Sequence, residues 1–385
     1  MKTYPLFKAH LPIDAILCNV EDVLSSGFIN EGEAVAKFTT SMSKELNSTN
    51  FIAVNSCTSA ITLALRLAGV NLGGHVMSTP MTCVASNTPV YSSGSAICWA
   101  DVDPETGMVT IATLEAAYHQ WVKALIIVAW AGSPPELDAI ASWCHEKGVK
   151  LILDAAHAFG ATYKGRPIHE FADFCTYSFQ AIKHITTGDG GGLVCKSDED
   201  YQRSKAMKWF GLDRDMAKDE KGNWKGQQWD VDITESGYKF NMNNLAASIG
   251  LAQLPHIAKI LTTHRRNAAT YDEDLKLNPC LARPTNKYGI AGEGSSWVYT
   301  MLLDASLDRD DVLRKLNARG VMAGVVHVPN HRYTVFTDCY RELPGADKFA
   351  AHQFSLPCGW WLNDDDIKEI LSILKEVLDE CADHP

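Results

Sequence analysis

The sequence predicts an α/β fold with a mostly parallel sheet between helices, followed by a smaller α+β domain. Three observations carry this. Short apolar runs alternate with helix-periodic stretches from residue 51 to residue 195, and repeated strand–helix units imply right-handed crossovers and a parallel sheet. Runs such as Ala-Leu-Ile-Ile-Val-Ala-Trp (124–130) are apolar on both faces, as strands covered by helices on both sides are. From about residue 297 the pattern changes to strand, helix, strand and a closing helix.

In order, residues 1–32 end in a loop-like stretch, and 33–47 have helical spacing with Val35, Phe38, Met42 and Leu46 on one side. Strands are expected at 51–55, 75–79, 96–101, 124–130, 149–154, 173–177 and 191–195. Helices are expected at about 59–68, 85–91, 113–121 and 136–147. Residues 201–235, with Trp209, Trp224, Trp229 and many charges, read as a helix and then a polar excursion, a flap. A helix at 243–254 and a long one through 256–275 lead out of the first domain. Strand 297–303, helix 309–319 capped by Asp308 or Asp310, strand 321–328 and helix 364–381 complete the chain. The expected division is a large domain at 1–255 and a small one at 256–385.

The chain has 385 residues and a formal charge of −11, which argues against nucleic-acid and anionic-membrane partners. The longest clean apolar run, 124–131, is too short to span a bilayer, and the N-terminus has no signal-type apolar region. The 11 cysteines are scattered without a C-x-x-C pair. A reduced, cytoplasmic compartment and no metal site are expected.

The chemistry gathers at predicted strand ends, where ligands of such sheets bind. Lys183 follows a strand and precedes the glycines at 188 and 190–192. It is either a surface lysine or one desolvated by Phe179, Ile182 and Ile185 to form a Schiff base. Asp154 ends an apolar strand and is followed by small Ala155, Ala156 and then His157. It is either a turn cap or the partner of a protonated pyridine nitrogen. Asn55-Ser-Cys-Thr-Ser59 is either a plain helix cap or a phosphate-binding helix start, and Ser178 has the same two readings. The glycines do not form G-x-G-x-x-G and suit backbone clearance beside a site better than a phosphate cradle. Together, a helix start, a strand-end Asp and a Ser-x-x-x-x-Lys are the three anchors that pyridoxal phosphate needs.

With these residues in place, the sequence resembles the DegT/StrS-type sugar aminotransferases of the type I aminotransferase fold. The resemblance covers Ser-Gly-Phe-Ile-Asn-Glu-Gly (26–32), Asn-Ser-Cys-Thr-Ser-Ala (55–60), the stretches 78–87 and 101–106, Leu-Asp-Ala-Ala-His-Ala-Phe-Gly (153–160), Ser-Phe-Gln-Ala-Ile-Lys (178–183), 186–191 and 237–254. It implies a seven-stranded sheet in the large domain and pyridoxal phosphate as cofactor. Lys183 would form the Schiff base, Asp154 would pair with the ring nitrogen, and His157 would lie beside the ring. Cys57, Thr58 and Ser178 would hold the phosphate. Lys239 or Asn241 would reach the phosphate of a partner subunit, making a homodimer the working unit. Cys83 stands where many relatives carry a stacking aromatic, and Asp189 replaces a more usual Glu.

The implied reaction moves an amino group from glutamate to a keto-sugar carried on a nucleotide, most simply a 4-keto-6-deoxyhexose or a 3-keto sugar. The product would be an amino sugar for a surface polysaccharide or a secondary metabolite. His327, Asn330, His331 and Arg332 are candidate contacts for the sugar or diphosphate. A pyridoxamine-dependent sugar dehydratase is the alternative, but relatives of that kind carry His where this chain has Lys183, with His184 only following it. A non-catalytic regulatory or sugar-binding member would not need Asp154, Ser178 and Lys183 together.

Overall fold

The computed structural model of the chain describes residues 2–212, 232–285 and 294–383. Strands β1 (Phe51–Val54), β2 (His75–Ser78), β3 (Ala96–Trp99), β4 (Val122–Val128) and β5 (Lys150–Asp154) come first. A two-residue hairpin, β6 (Thr162–Tyr163) with β7 (Arg166–Pro167), stands apart. Strands β8 (Phe174–Ser178) and β9 (Gly191–Cys195) then complete a seven-stranded sheet in the order β1-β9-β8-β5-β4-β2-β3. Only β9 runs against the others. The sheet is thus mostly parallel, as its two-sided apolar strands require, and β8 and β9 are buried along their whole length.

Helices α1 (Ile13–Ser26), α2 (Glu33–Glu45), α3 (Cys57–Leu67), α4 (Val84–Ser92), α5 (Ile111–Ala117), α6 (Leu137–Lys147) and α7 (Asp198–Met207) precede α8 (Asn244–Gln253) and the long α9 (Ile257–Leu277). Of these, α2, α3, α4, α6 and α7 pack directly on the sheet. Val35, Phe38 and Met42 of α2 are buried as its spacing predicts. The run Asn244–Leu277 is long and apolar enough by composition to cross a membrane. However, 44% of its apolar window is buried within the protein, and α8 packs on α1 and α2 as a core helix does.

A second core belongs to the C-terminal region. Strands β10 (Ala282–Pro284), β11 (Tyr299–Leu303) and β12 (Gln353–Leu356) form an antiparallel sheet. Helices α10 (Arg309–Ala318), α11 (Pro344–His352) and α12 (Asp364–Asp383) accompany it. Tyr271, Tyr299, Val312, Phe354 and Leu374 are packed there, together with Tyr4 from the N-terminus. Asp308 caps α10 by accepting from Asp310 N at 2.8 Å.

Three expectations need correction. The segment 321–328 is not a strand. It makes only isolated bridges, Val321 with Tyr4 and Gly324 with Ser355, so it touches the outer edge of β12 at a single residue and forms no continuous ladder. Helix α5 starts and ends earlier than 113–121, since a Thr110–Thr113 capping box fixes its start; Trp121 lies outside it and is exposed. The sequence left 13–26 unassigned, where α1 stands. The expected flap is described only at its ends, as α7 and the return at 232–237; its centre, 213–231, lies outside the described residues.

Candidate active site

Strand register brings the predicted residues together. Asp154 of β5 lies opposite Thr176 of β8, and Ser178 lies opposite Gly191 of β9, which in turn lies opposite Val54 of β1. The carboxyl ends of three parallel strands therefore meet the start of α3.

Asp154 is 4% exposed. Its Oδ2 accepts from Ser86 Oγ at 2.6 Å and its Oδ1 from Ala156 N at 3.0 Å. The Ser86 proton goes to the carboxylate, so the Thr82 hydroxyl, 2.7 Å away, donates to Ser86 in turn. Burial pushes the Asp154 carboxyl above the usual carboxylate range, while these hydrogen bonds and the Lys183 charge oppose the shift. A buried carboxylate so placed calls for a cationic partner.

Lys183 sits in the turn between β8 and β9. Phe179 ties that turn shut: its N–H donates to Gly190 O at 2.9 Å, and its carbonyl accepts from Thr187 N at 2.9 Å. Burial pulls the Lys183 amine down to about 8, against the attraction of Asp154. Its Nζ lies 3.7 Å from the centroid of the Trp297 ring. An amine lowered in this way is available as a nucleophile and base near neutral pH.

His157 is buried, with its ring stacked 4.0 Å from Trp297 and its Nε2 3.3 Å from His327 Nε2. Burial, with the Lys183 charge, keeps the imidazole neutral by lowering its pKa well below the ordinary value. Helix α3 begins with Ser56 as its cap, the hydroxyl accepting from Ser59 N at 3.0 Å. The Cys57 thiol is turned inward, 3.8 Å from Asp154 Oδ1, so what Cys57 offers an anion is its backbone N–H. A Cβ at Gly191 would stand 2.4 Å from that nitrogen. The absence of a side chain thus lets β9 pack directly against the Ser56–Cys57 peptide at the helix start.

Lys239 and Asn241 lie at the end of β1 in their own chain. Lys239 Nζ bonds Asn241 Oδ1 at 2.5 Å, Asn241 Nδ2 donates to Asn30 Oδ1 at 2.9 Å, and Phe240 O accepts from Asn55 N at 2.8 Å. Of the four candidate substrate residues, the structure brings only His327 against the His157 cluster. Asn330 is buried and commits its amide to Asn87 at 2.8 Å and to Thr82 O at 2.9 Å. His331 is buried beside Tyr340. Arg332 is exposed and pairs with Asp347 at 2.7 Å. Cys83 caps the start of α4 without a side-chain bond. His184 turns away, with Nε2 3.1 Å from Ser295 O and its ring against His264.

Sequence reasoning missed Ser86 and Trp297. Ser86 lies within the family-like stretch 78–87, where nothing local marks it as a partner of Asp154. Trp297 had no local signal: its indole N–H donates to Ile182 O at 2.9 Å, 115 residues away. Among the described residues there is no group of three or more His, Cys, Asp or Glu side chains that could hold a metal.

The lowered lysine, the buried strand-end carboxylate, the unpartnered buried Nδ1 of His157 and the start of α3 near the strand ends fit pyridoxal phosphate, and define a cofactor-dependent enzyme of the type I aminotransferase fold. The chain belongs to the DegT/DnrJ/EryC1/StrS aminotransferase family, whose model matches residues 13–375. It is similar to the crystal structure of AtS13 from Actinomadura melliaura, with 33% identity, 98% of this chain and 99% of that one covered, and a TM-score of 0.89. It is likewise similar to the sugar aminotransferase CalS13 from Micromonospora echinospora, at 31% identity, 97% and 99% coverage and a TM-score of 0.89. A dTDP-4-dehydro-2,3,6-trideoxy-D-glucose 4-aminotransferase from Saccharopolyspora spinosa is 28% identical over 355 residues, with 91% of each chain covered.

Proposed function

We propose that this pyridoxal-phosphate-dependent sugar aminotransferase transfers an amino group from glutamate to a nucleotide-linked keto-sugar, with a 4-keto-6-deoxyhexose as the first candidate and a 3-keto sugar as the second. The observation that carries the reading is Lys183: an amine lowered to about 8 and within electrostatic reach of the buried Asp154 carboxylate. The 4-keto sugar is supported by the printed activity of the Saccharopolyspora spinosa relative.

When bound, pyridoxal phosphate supplies an aldehyde that carries the amino group and a protonated ring that draws electrons. Asp154 supplies the negative charge that holds a pyridine nitrogen protonated, and the Ser86 and Ala156 hydrogen bonds fix its orientation. The backbone N–H groups at the start of α3, with Thr58 and Ser178, suit the phosphate. Lys183 Nζ, neutral above about pH 8, takes the α-proton of the amino donor and later returns a proton to the acceptor side as general base and acid. Arg332, exposed on the segment that follows His327, carries a charge suited to a diphosphate. A lysine at 183 speaks against the dehydratase reading.

A homodimer is part of the proposal, with Lys239 or Asn241 reaching the partner's phosphate. Its support is the run of exposed apolar side chains Leu11, Ile13, Leu17, Leu24, Phe28 and Ile29 along the N-terminal arm and α1. Sedimentation at twice 42.3 kDa checks it. For the reaction, purified protein is incubated with glutamate and a panel of keto-sugar nucleotides while 2-oxoglutarate is followed. The expected result is turnover with a 4-keto substrate; turnover without glutamate, or none across the panel, overturns the assignment.

A further inference from the structure

His157 and His327 are 170 residues apart in sequence, yet their Nε2 atoms face each other at 3.3 Å. Their rings are nearly parallel, 14° apart, with centroids 5.2 Å apart. The two imidazoles thus meet through these nitrogens at hydrogen-bonding distance. Two nitrogens so placed share one proton: two bare nitrogens would repel, and two N–H groups would collide. A charged ring is disfavoured, because burial and the nearby Lys183 charge hold both imidazoles neutral, His327 at about 3.

The position of the shared proton decides what His157 presents at its other nitrogen. If His157 carries it on Nε2, its Nδ1 is a bare acceptor. If His327 carries it, His157 Nε2 accepts and the His157 proton sits on Nδ1. That Nδ1 is buried and has no hydrogen-bond partner. Trp297 stacks on a face of the ring at 4.0 Å, which fixes the plane in which both nitrogens lie. His327 is itself anchored: its carbonyl accepts from Gln353 Nε2 at 3.0 Å, and the Trp130 ring stands edge-on at 5.7 Å.

We propose that His327 is a positioning residue that donates its Nε2 proton to His157 and thereby holds His157 in the Nδ1–H form, a donor ready for an anionic oxygen on the cofactor ring. The inference rests on the cofactor site at Lys183. It gives His327 a role different from sugar binding, since its Nε2 edge is occupied by His157. It also makes the C-terminal region, which supplies His327, responsible for the hydrogen-bonding character of a residue in the cofactor site.

Two variants and one spectrum test this. His327→Gln retains a donor for His157 Nε2; His327→Phe retains a ring but no donor. Dissociation constants for pyridoxal phosphate are measured by absorbance titration, with melting temperatures of the cofactor-free proteins as the control for folding. The Phe variant is expected to bind about tenfold more weakly, as loss of one buried hydrogen bond does, and the Gln variant to stay within about threefold. In cofactor-free wild type with 15N-labelled histidine, the His157 signal, identified by its loss in His157→Gln, is expected to be protonated at Nδ1 and bare at Nε2. A His157 signal protonated at Nε2, or a folded Gln variant as weak as the Phe variant, overturns the proposal. Should the Phe variant not fold, the tautomer of the wild-type protein decides alone. Failure of the cofactor assignment looks different: wild type would then take up no pyridoxal phosphate at Lys183, while the tautomer still reports on the pair.

Discussion

The two halves of the site are held by different kinds of structure. Asp154, Ser178 and the α3 start belong to the large sheet, where each position is fixed by continuous ladders to neighbouring strands. Trp297 and His327 lie on segments outside any strand. Trp297 is pinned by its N–H to Ala131 O at 2.9 Å, and the neighbouring Ser295 Oγ donates to His157 O at 2.8 Å. The backbone there is strained: Ala131 and Ser296 both have positive φ, 53° and 50°, conformations that persist only when the surroundings enforce them. The strand-end half of the site is thus built by regular structure, and the half carrying Trp297 and His327 by a few long-range bonds.

Substitutions separate the halves. The largest effect is expected from Lys183→Ala, which should lower amino transfer by at least about 10²–10⁴-fold and remove the cofactor absorption band without unfolding the protein. If band and turnover survive, Lys183 is not the cofactor lysine. Next comes the amine itself. Burial disfavours its charged form, so it is protonated below about pH 8 and neutral above it. Amine-specific trace labelling of cofactor-free protein, read by mass spectrometry, should rise through a midpoint near 8; a midpoint near the ordinary 10.5 would mean that the pocket does not desolvate Lys183.

Gly191→Ala tests the sheet half by crowding Cys57 N. It should cost about 1–3 kcal/mol of stability, as overpacking does, and weaken cofactor binding, both measurable by denaturant titration with and without pyridoxal phosphate. Asn330→Ala tests the half carrying Trp297 and His327. It strips partners from Asn87 and from the Thr82 carbonyl and should cost about 1–3 kcal/mol; a loss well below that would show that the 327–332 segment is not held by this amide. The smallest effect is expected from Arg332→Ala: a rise in KM for the nucleotide sugar of about three- to tenfold at unchanged kcat, the mark of binding made equally in ground and transition states. An unchanged KM removes Arg332 from the diphosphate site.

What the sequence determined by itself was the part governed by local periodicity. Strands apolar on both faces announced the buried parallel sheet, the 3.6-residue spacing announced α2, and a carboxylate and a lysine at or just beyond strand ends pointed to a ligand site, because the ends of parallel strands are where such sheets bind ligands. Only the tertiary structure decided the rest. The segment 321–328 looks like a strand but meets the edge of β12 only at Gly324. Nothing near Trp297 in sequence signals that its ring will lie under Lys183, and nothing near His327 signals that its Nε2 will meet His157. Those contacts cross 114 and 170 residues and arise where the C-terminal region packs on the large sheet, a packing that no local pattern encodes.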